Sequence, residues 1–141
     1  MENKTQSEVA IRTQNEKYIQ EFQKFLQEEK GYVHKTIKKH CQNVSFFLNG
    51  YLLRLQGCGV QNAYTYLDDF FGYYLIYKCV WSTPNAMKEM AVSIRKFYAF
   101  LKDQSYITKE ICEDVSNRIC FSIEDWMEEC DDYNNGKIRF Y

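Results

Sequence analysis

The chain of 141 residues carries 18 Lys and Arg against 19 Asp and Glu, and 17% of its residues are aromatic. This length corresponds to one domain that buries a sizeable core without needing a disulfide or a metal. The single proline, Pro84, and six glycines exclude a disordered, collagen-like or linker-rich chain. So few turn-forming residues also argue against a β-sandwich.

The first two predicted helices are separated by Gly31. Apolar residues recur at helical spacing over residues 7–30, and Gly31 stands in the usual position after a helix C-terminus. The second predicted helix covers residues 34–55, with an apolar stripe on one side and lysines largely on another. It ends before a flexible break at Gly57 and Gly59.

The third predicted helix, residues 62–79, has aromatic side chains around most of its circumference: Tyr64, Tyr66, Phe70, Phe71, Tyr73, Tyr74 and Tyr77. Such a pattern is typical of a central, well-covered helix. Tyr buries well when its hydroxyl reaches the surface. A row of aromatic rings can also form a platform on which bases stack. The sequence favours core packing over the stacking platform.

The fourth predicted helix covers residues 84–104. Thr83 can cap its free backbone N–H groups, and Pro84 fits the first helical position. Its apolar stripe includes Met87, Ile94 and Leu101.

Two short helices are predicted at the C-terminal end, over residues 108–118 and 122–132. The second begins with Ser122-x-x-Asp125, which is similar to a capping box. Residues 137–141 alternate polar and apolar positions and predict either a short strand or a tail. The fold class we predict is therefore all-α, a compact bundle of four main helices plus one or two short C-terminal helices.

Charge divides the chain unevenly. From residue 30 to 102 there are 10 Lys and Arg against 3 Asp and Glu, whereas residues 103–141 hold 4 against 10. We divide the chain into a helical domain, residues 1–118, and an acidic C-terminal helix and tail, residues 119–141. The acidic helix either folds over the basic face or packs through Trp126 and Met127 with its carboxylates in water. The sequence favours the second interpretation.

The sequence predicts a cytoplasmic protein that has no membrane partner. Charged residues in the first turns exclude a signal-peptide core, and the longest apolar run, residues 70–77, is far shorter than the ~20 residues of a membrane span. The six cysteines form no Cys-x-x-Cys pair, and the adjacent His40 and Cys41 point to different faces of a helix. We therefore expect reduced thiols, no metal site and no cofactor.

No motif of an active site is present. The chain has no Gly-rich phosphate loop, no Gly-x-Ser-x-Gly and no His-x-x-x-His. Its adjacent acidic pairs diverge by about 100° on a helix, which is typical of solvated surface rather than of a two-carboxylate site. We therefore expect neither an enzyme nor a small-molecule substrate.

Two helix faces carry the main functional signal. Each Lys or Arg can meet a DNA phosphate and release counterions, and an α-helix fits the major groove. A solvated helix surface is the simpler explanation of the same pattern. The candidate DNA-binding residues are Lys35, Thr36, Lys38, Lys39 and His40 on the second helix, and Lys88, Arg95, Lys96 and Lys102 on the fourth.

Two segments also resemble a known family. The first has Thr36-Ile37-x-x-His40 followed by Val44-x-x-Phe47-Leu48, with His40 where the family usually has Tyr. The second enters its helix at Ser82-Thr83 and contains Ile94-Arg95-Lys96-Phe97-Tyr98-Ala99-Phe100-Leu101, then Ser105-Tyr106-Ile107-Thr108. With them, residues 18–118 resemble the N-terminal core-binding domain, of SAM-like fold, of tyrosine recombinases and phage integrases.

The resemblance implies a helical bundle whose second and fourth helices face duplex DNA, in a family that performs DNA recombination and DNA integration. It implies DNA contacts at Lys35, Thr36, Lys39 and His40, and at Lys88, Arg95 and Lys96. The family's catalytic domain, with its His-x-x-Arg and nucleophilic Tyr, has no counterpart here. We therefore expect no DNA cleavage, and recombinase protomers or a catalytic chain acting in trans as further partners.

Two functions remain open at this point. The leading hypothesis is a non-catalytic module that binds double-stranded DNA. The alternative is a helical protein–protein interaction module that kept the fold without DNA binding. The chain is then an isolated domain, a truncated remnant or a stand-alone relative. If Lys35, Lys39, Lys88 and Arg95 form one surface, DNA binding is favoured. If they point apart, or the acidic helix covers them, the interaction module is favoured.

Overall fold

The structure, a computed structural model, describes residues 2–137, with the side chains of residues 7–137. Helices and loops make up this part of the chain, which contains no strand. The all-α bundle predicted from the sequence is confirmed, whereas residues 138–141 of the predicted tail lie outside the described residues. The helices are α1 (Glu2–Glu28), α2 (His34–Ser45), α3 (Ala63–Asp69), α4 (Pro84–Asp103) and α5 (Lys109–Asn134). None of these helices has the length and apolar character needed to cross a bilayer.

Two helices continue without a break into wider, π-helical segments. Phe46–Gln56 extends α2 and Phe70–Lys78 extends α3. With these extensions, the second, third and fourth helices agree with the predicted ends to within one residue. Gly57 closes the extension of α2 with a φ of +65°, in the left-handed region that glycine adopts without a steric cost.

The predicted helix starts at Thr83 and Thr108 are confirmed. The Thr83 hydroxyl accepts a hydrogen bond from the backbone N–H of Ala86 at 3.1 Å, with Pro84 at the first helical position. The Thr108 hydroxyl accepts from the N–H of Ile111 at 3.2 Å. Each cap satisfies a donor that the helix itself leaves without a partner.

One helix of 26 residues, α5, replaces the two short C-terminal helices predicted from the sequence. The capping-box interpretation of Ser122 is wrong, because this residue lies inside α5 and is only 7% exposed. No Gly or Pro interrupts the helix. One apolar stripe, facing α4 and α3, holds it continuous. Its buried residues are Cys112, Val115, Ile119, Ser122, Trp126 and Cys130. The helix therefore crosses the boundary that we set after residue 118.

Aromatic side chains from the extension of α3 lie at the centre of the core. The Phe70 ring contacts the rings of Phe47 and Tyr51 at centroid distances of 4.7 and 4.9 Å. Phe71 stacks on Trp126 at 4.8 Å with an interplanar angle of 6°. The core packing that we predicted for the aromatic helix is thus confirmed for its phenylalanines. Three of its tyrosines are instead exposed: Tyr64, Tyr73 and Tyr77.

The packing of α5 also shows where Trp126 and Met127 lie. Trp126 is buried, and Met127 is partly buried against the core. The prediction that these two side chains pack onto the bundle is confirmed. A Cβ on Gly72 would lie 3.1 Å from the Trp126 Nε1 atom, so the glycine allows the indole to approach the helix closely.

Candidate functional site

A surface cleft of about 390 Å³ lies between α2 and α4. The two helices run in opposite directions, as their ends show. Lys96, in the C-terminal half of α4, donates a 2.8 Å hydrogen bond to the hydroxyl of Tyr32, just before α2. Trp81, just before α4, contacts Phe46, just after α2. The cleft therefore extends along two antiparallel helices.

Five of the nine predicted DNA-binding residues line this one cleft. They are Lys35, Thr36, Lys39 and His40 from α2 and Lys88 from α4. Tertiary packing brings these residues of α2 and α4 together. Further lining residues that we did not predict as DNA-binding are Asn43, Asn85, Glu89, Val92 and Ser93.

The other four predicted residues lie outside the cleft. Lys38 lines a separate surface cavity on another side of α2. Lys96 is held by its hydrogen bond to the hydroxyl of Tyr32. Lys102 pairs with Asp103 at 3.6 Å. Arg95 is exposed on α4 and does not line the cleft, so only Lys35, Lys39 and Lys88 of the four residues expected on one surface line it together.

A hydrogen-bonded chain of three side chains lies in the cleft. His40 Nδ1 is 2.7 Å from Ser93 Oγ, and the side-chain amide of Asn43 donates to the same oxygen at 3.0 Å. In a neutral His40 with its proton on Nε2, Nδ1 accepts a hydrogen bond from the Ser93 hydroxyl. Ser93 is 0% exposed, so its hydroxyl is closed to an external substrate. The chain therefore fixes α2 against α4 rather than forming a nucleophilic centre.

The environment of His40 disfavours a charge on its imidazole. Partial burial lowers the pKa from its ordinary value of 6.5, and the positive charges of Lys96 and Lys39 lower it further. Glu89 opposes this shift. His40 is therefore mainly neutral at pH 7, and it offers a hydrogen bond rather than a cation to a ligand.

Glu89 is the acidic residue of the cleft, and sequence analysis missed its role. Its carboxylate forms an ion pair with the ammonium group of Lys39, directly across the two helices. Lys35 and Lys88 form no ion pair with a residue that the structure describes. Among the described residues, the cleft thus contains two cations without an ion pair and one cation that an acid partly neutralises.

The acidic helix does not cover this cleft. No residue of α5 is among the lining residues. α5 packs against α4 and α3 instead. The hypothesis that the acidic helix folds over the basic face does not hold for this cleft, which is open to a ligand.

Within residues 7–137, no three His, Cys, Asp or Glu side chains lie together in a way that could bind a metal ion. The cysteines in this range are all free thiols. Burial raises the pKa of the Cys41 thiol, next to His40, which disfavours the thiolate form that binds metals.

Comparisons with protein-family models, with curated proteins and with solved structures find no match to this chain. The geometry and charge of the cleft are therefore the basis for assigning a function.

Proposed function

We propose that this chain is a non-catalytic module that binds duplex DNA through the α2–α4 cleft. The observation that carries the proposal is the convergence of Lys35, Lys39 and Lys88, from two helices, on one open cleft of about 390 Å³. Cations on a shared surface can contact successive phosphates of one DNA backbone. The same residues scattered over separate faces could not.

The polar side chains of the cleft suit this ligand. Lys35 and Lys88 neutralise phosphates and release counterions. Thr36 and Asn85, both exposed at the cleft, can donate hydrogen bonds to phosphate or to base edges. His40 and Asn43 hold the two helices in register through Ser93, so the cations keep a fixed spacing.

The resemblance to recombinase core-binding domains supports the same surface. In that family the second and fourth helices face DNA, and these are the helices that form the cleft. A cytoplasmic, DNA-associated module of this kind cuts no DNA by itself. It binds a site at which a recombinase or another catalytic chain acts.

Fluorescence anisotropy of a labelled duplex over a salt series tests the proposal. With Lys35 and Lys88 each on a phosphate, the cleft contributes about −1.8 to the slope of log K against log salt, at roughly −0.9 per contact. The Lys35→Glu/Lys88→Glu variant should lose this contribution. A matched control, Lys24→Glu/Lys109→Glu, changes the charge equally but on α1 and α5, away from the cleft.

The control decides between site binding and general charge. Equal weakening by both double variants would show that net charge, not the cleft, attracts DNA. Absence of binding by the wild type at about 50 mM salt would reject DNA as the ligand. The protein–protein interaction module would then be the function to pursue.

A further inference from the structure

An exposed tryptophan lies at one end of the cleft. Val80 and Trp81 form the tip of the loop between the extension of α3 and α4. Val80 is fully exposed and Trp81 is 50% exposed, whereas the flanking Cys79 and Ser82 are buried. A large aromatic side chain is therefore presented to solvent by a loop that is anchored on both sides.

Contacts on three sides hold this loop. The Ser82 N–H donates to the Cys79 carbonyl at 3.1 Å and closes the turn. The Ser82 carbonyl accepts a 2.9 Å hydrogen bond from the side chain of Asn134 on α5. Trp81 itself packs on Phe46, with ring centroids 5.4 Å apart. The indole is thus positioned before any ligand arrives.

The ring geometry leaves part of the indole uncovered. The planes of Trp81 and Phe46 meet at 78°, an edge-to-face arrangement. If the edge of Phe46 points at the indole, one indole face remains beyond its reach. If the edge of the indole points at Phe46, both indole faces remain. Phe46 therefore covers at most one face of the indole, in agreement with the half-exposed state of Trp81.

The position of Trp81 connects it with the basic cleft. Phe46 directly follows the last residue of α2, one turn beyond Asn43 of the cleft. Asn85, on the other wall, lies in the first turn of α4 just after Trp81. A strand whose phosphates follow Lys35 and Lys88 therefore reaches the indole where the cleft ends.

We propose that Trp81 is a stacking platform for an unpaired base at the end of a DNA duplex held in the α2–α4 cleft. This inference deepens the proposed function and rests on it. Every base has a π-face, so such stacking is tolerant of sequence. It directs the module toward duplex ends, junctions or frayed sites, where a base has left its partner.

Two hairpins with the same stem test the inference. One ends blunt, and the other carries a short single-stranded overhang. Wild-type protein should bind the overhang hairpin more tightly, and Trp81→Ala should weaken that binding by about fivefold or more while leaving the blunt hairpin unchanged. Phe121→Ala is the matched control, because Phe121 is an exposed aromatic residue on α5, away from the cleft.

Tryptophan fluorescence adds a direct readout of the same contact. The second tryptophan, Trp126, is buried against Phe71, so a stacked base should quench mainly the emission of Trp81. The overhang hairpin should quench the wild type, and Trp81→Ala should lose that quenching. Trp81→Phe keeps a stacking ring and should retain most of the affinity, which separates stacking from damage to the loop.

These measurements distinguish the role of Trp81 from duplex binding by the cleft. Equal binding of both hairpins by wild type and Trp81→Ala, with no quenching, would overturn the stacking platform and leave duplex binding in place. If neither hairpin binds, the proposed function fails and the stacking platform fails with it. Equal losses from Trp81→Ala and Phe121→Ala would also overturn a specific role for Trp81.

Discussion

Replacing Glu89 with Gln should strengthen DNA binding, because this carboxylate restrains a cation of the cleft. Glu89 pairs with Lys39 across α2 and α4. The amide of Gln keeps the size of the side chain but removes its charge. Lys39 is then released toward the ligand, and the repulsion between the carboxylate and a phosphate is removed.

The expected gain in DNA affinity follows from counterion release. One added phosphate contact steepens the slope of log K against log salt by about 0.9. If a lysine–phosphate contact contributes nothing near 1 M salt, the same slope gives about an eightfold gain in affinity at 0.1 M salt. The cost in stability is small, because an exposed ion pair of this kind contributes only about 0–1 kcal/mol.

The assay is the anisotropy salt series on wild type, Glu89→Gln and Glu113→Gln. Glu113 pairs with Lys109 on α5, so its substitution changes the net charge equally at a site outside the cleft. Glu89→Gln should have the steeper slope, and Glu113→Gln should follow the wild type. Parallel slopes for all three proteins would refute the idea that Lys39 and Glu89 border the DNA site.

Two further predictions concern stability. Because folding lowers the pKa of His40 below 6.5, the unfolded chain binds more protons, so stability should fall as pH drops from 6.5 toward the folded-state pKa. Urea denaturation should show this loss in wild type and in a His34→Gln control but less of it in His40→Gln; equal pH dependence in all three would contradict the assignment. Phe121→Pro should cost about 3 kcal/mol or more, since proline breaks a helix interior, whereas Phe121→Ala removes only an exposed side chain. Equal urea midpoints for the two Phe121 variants would instead favour a break within α5.

Residues that favour a helix end, such as a capping Thr followed by Pro or a Gly after the last turn, predicted several helix boundaries well. Thr83 and Pro84 place the start of α4, and Gly57 places the end of the extended second helix. The prediction failed in α5, where Ser122 satisfies a local capping pattern but is buried in the helix interior. Serine is compatible with both positions, and packing against α4 and α3 selected the continuous helix.

The candidate site was predictable in part. Helical spacing placed Lys35 and Lys39 on one face, and the sequence identified Lys88 on another helix. Spacing within a helix carries no information about a neighbouring helix. The ion pair of Lys39 with Glu89 and the bond of His40 to Ser93 therefore came only from the structure.

Apolar periodicity and capping are local properties of a helix, so the amino-acid sequence was enough to predict an all-helical bundle. It also identified Lys35, Lys39 and Lys88 as candidate DNA-binding residues. The antiparallel arrangement of α2 and α4 came from the tertiary structure alone, as did the cleft that Lys35, Lys39 and Lys88 line and that α5 leaves uncovered. These features depend on contacts between residues distant in the chain, such as Phe46 with Trp81, and core packing as a whole selects them.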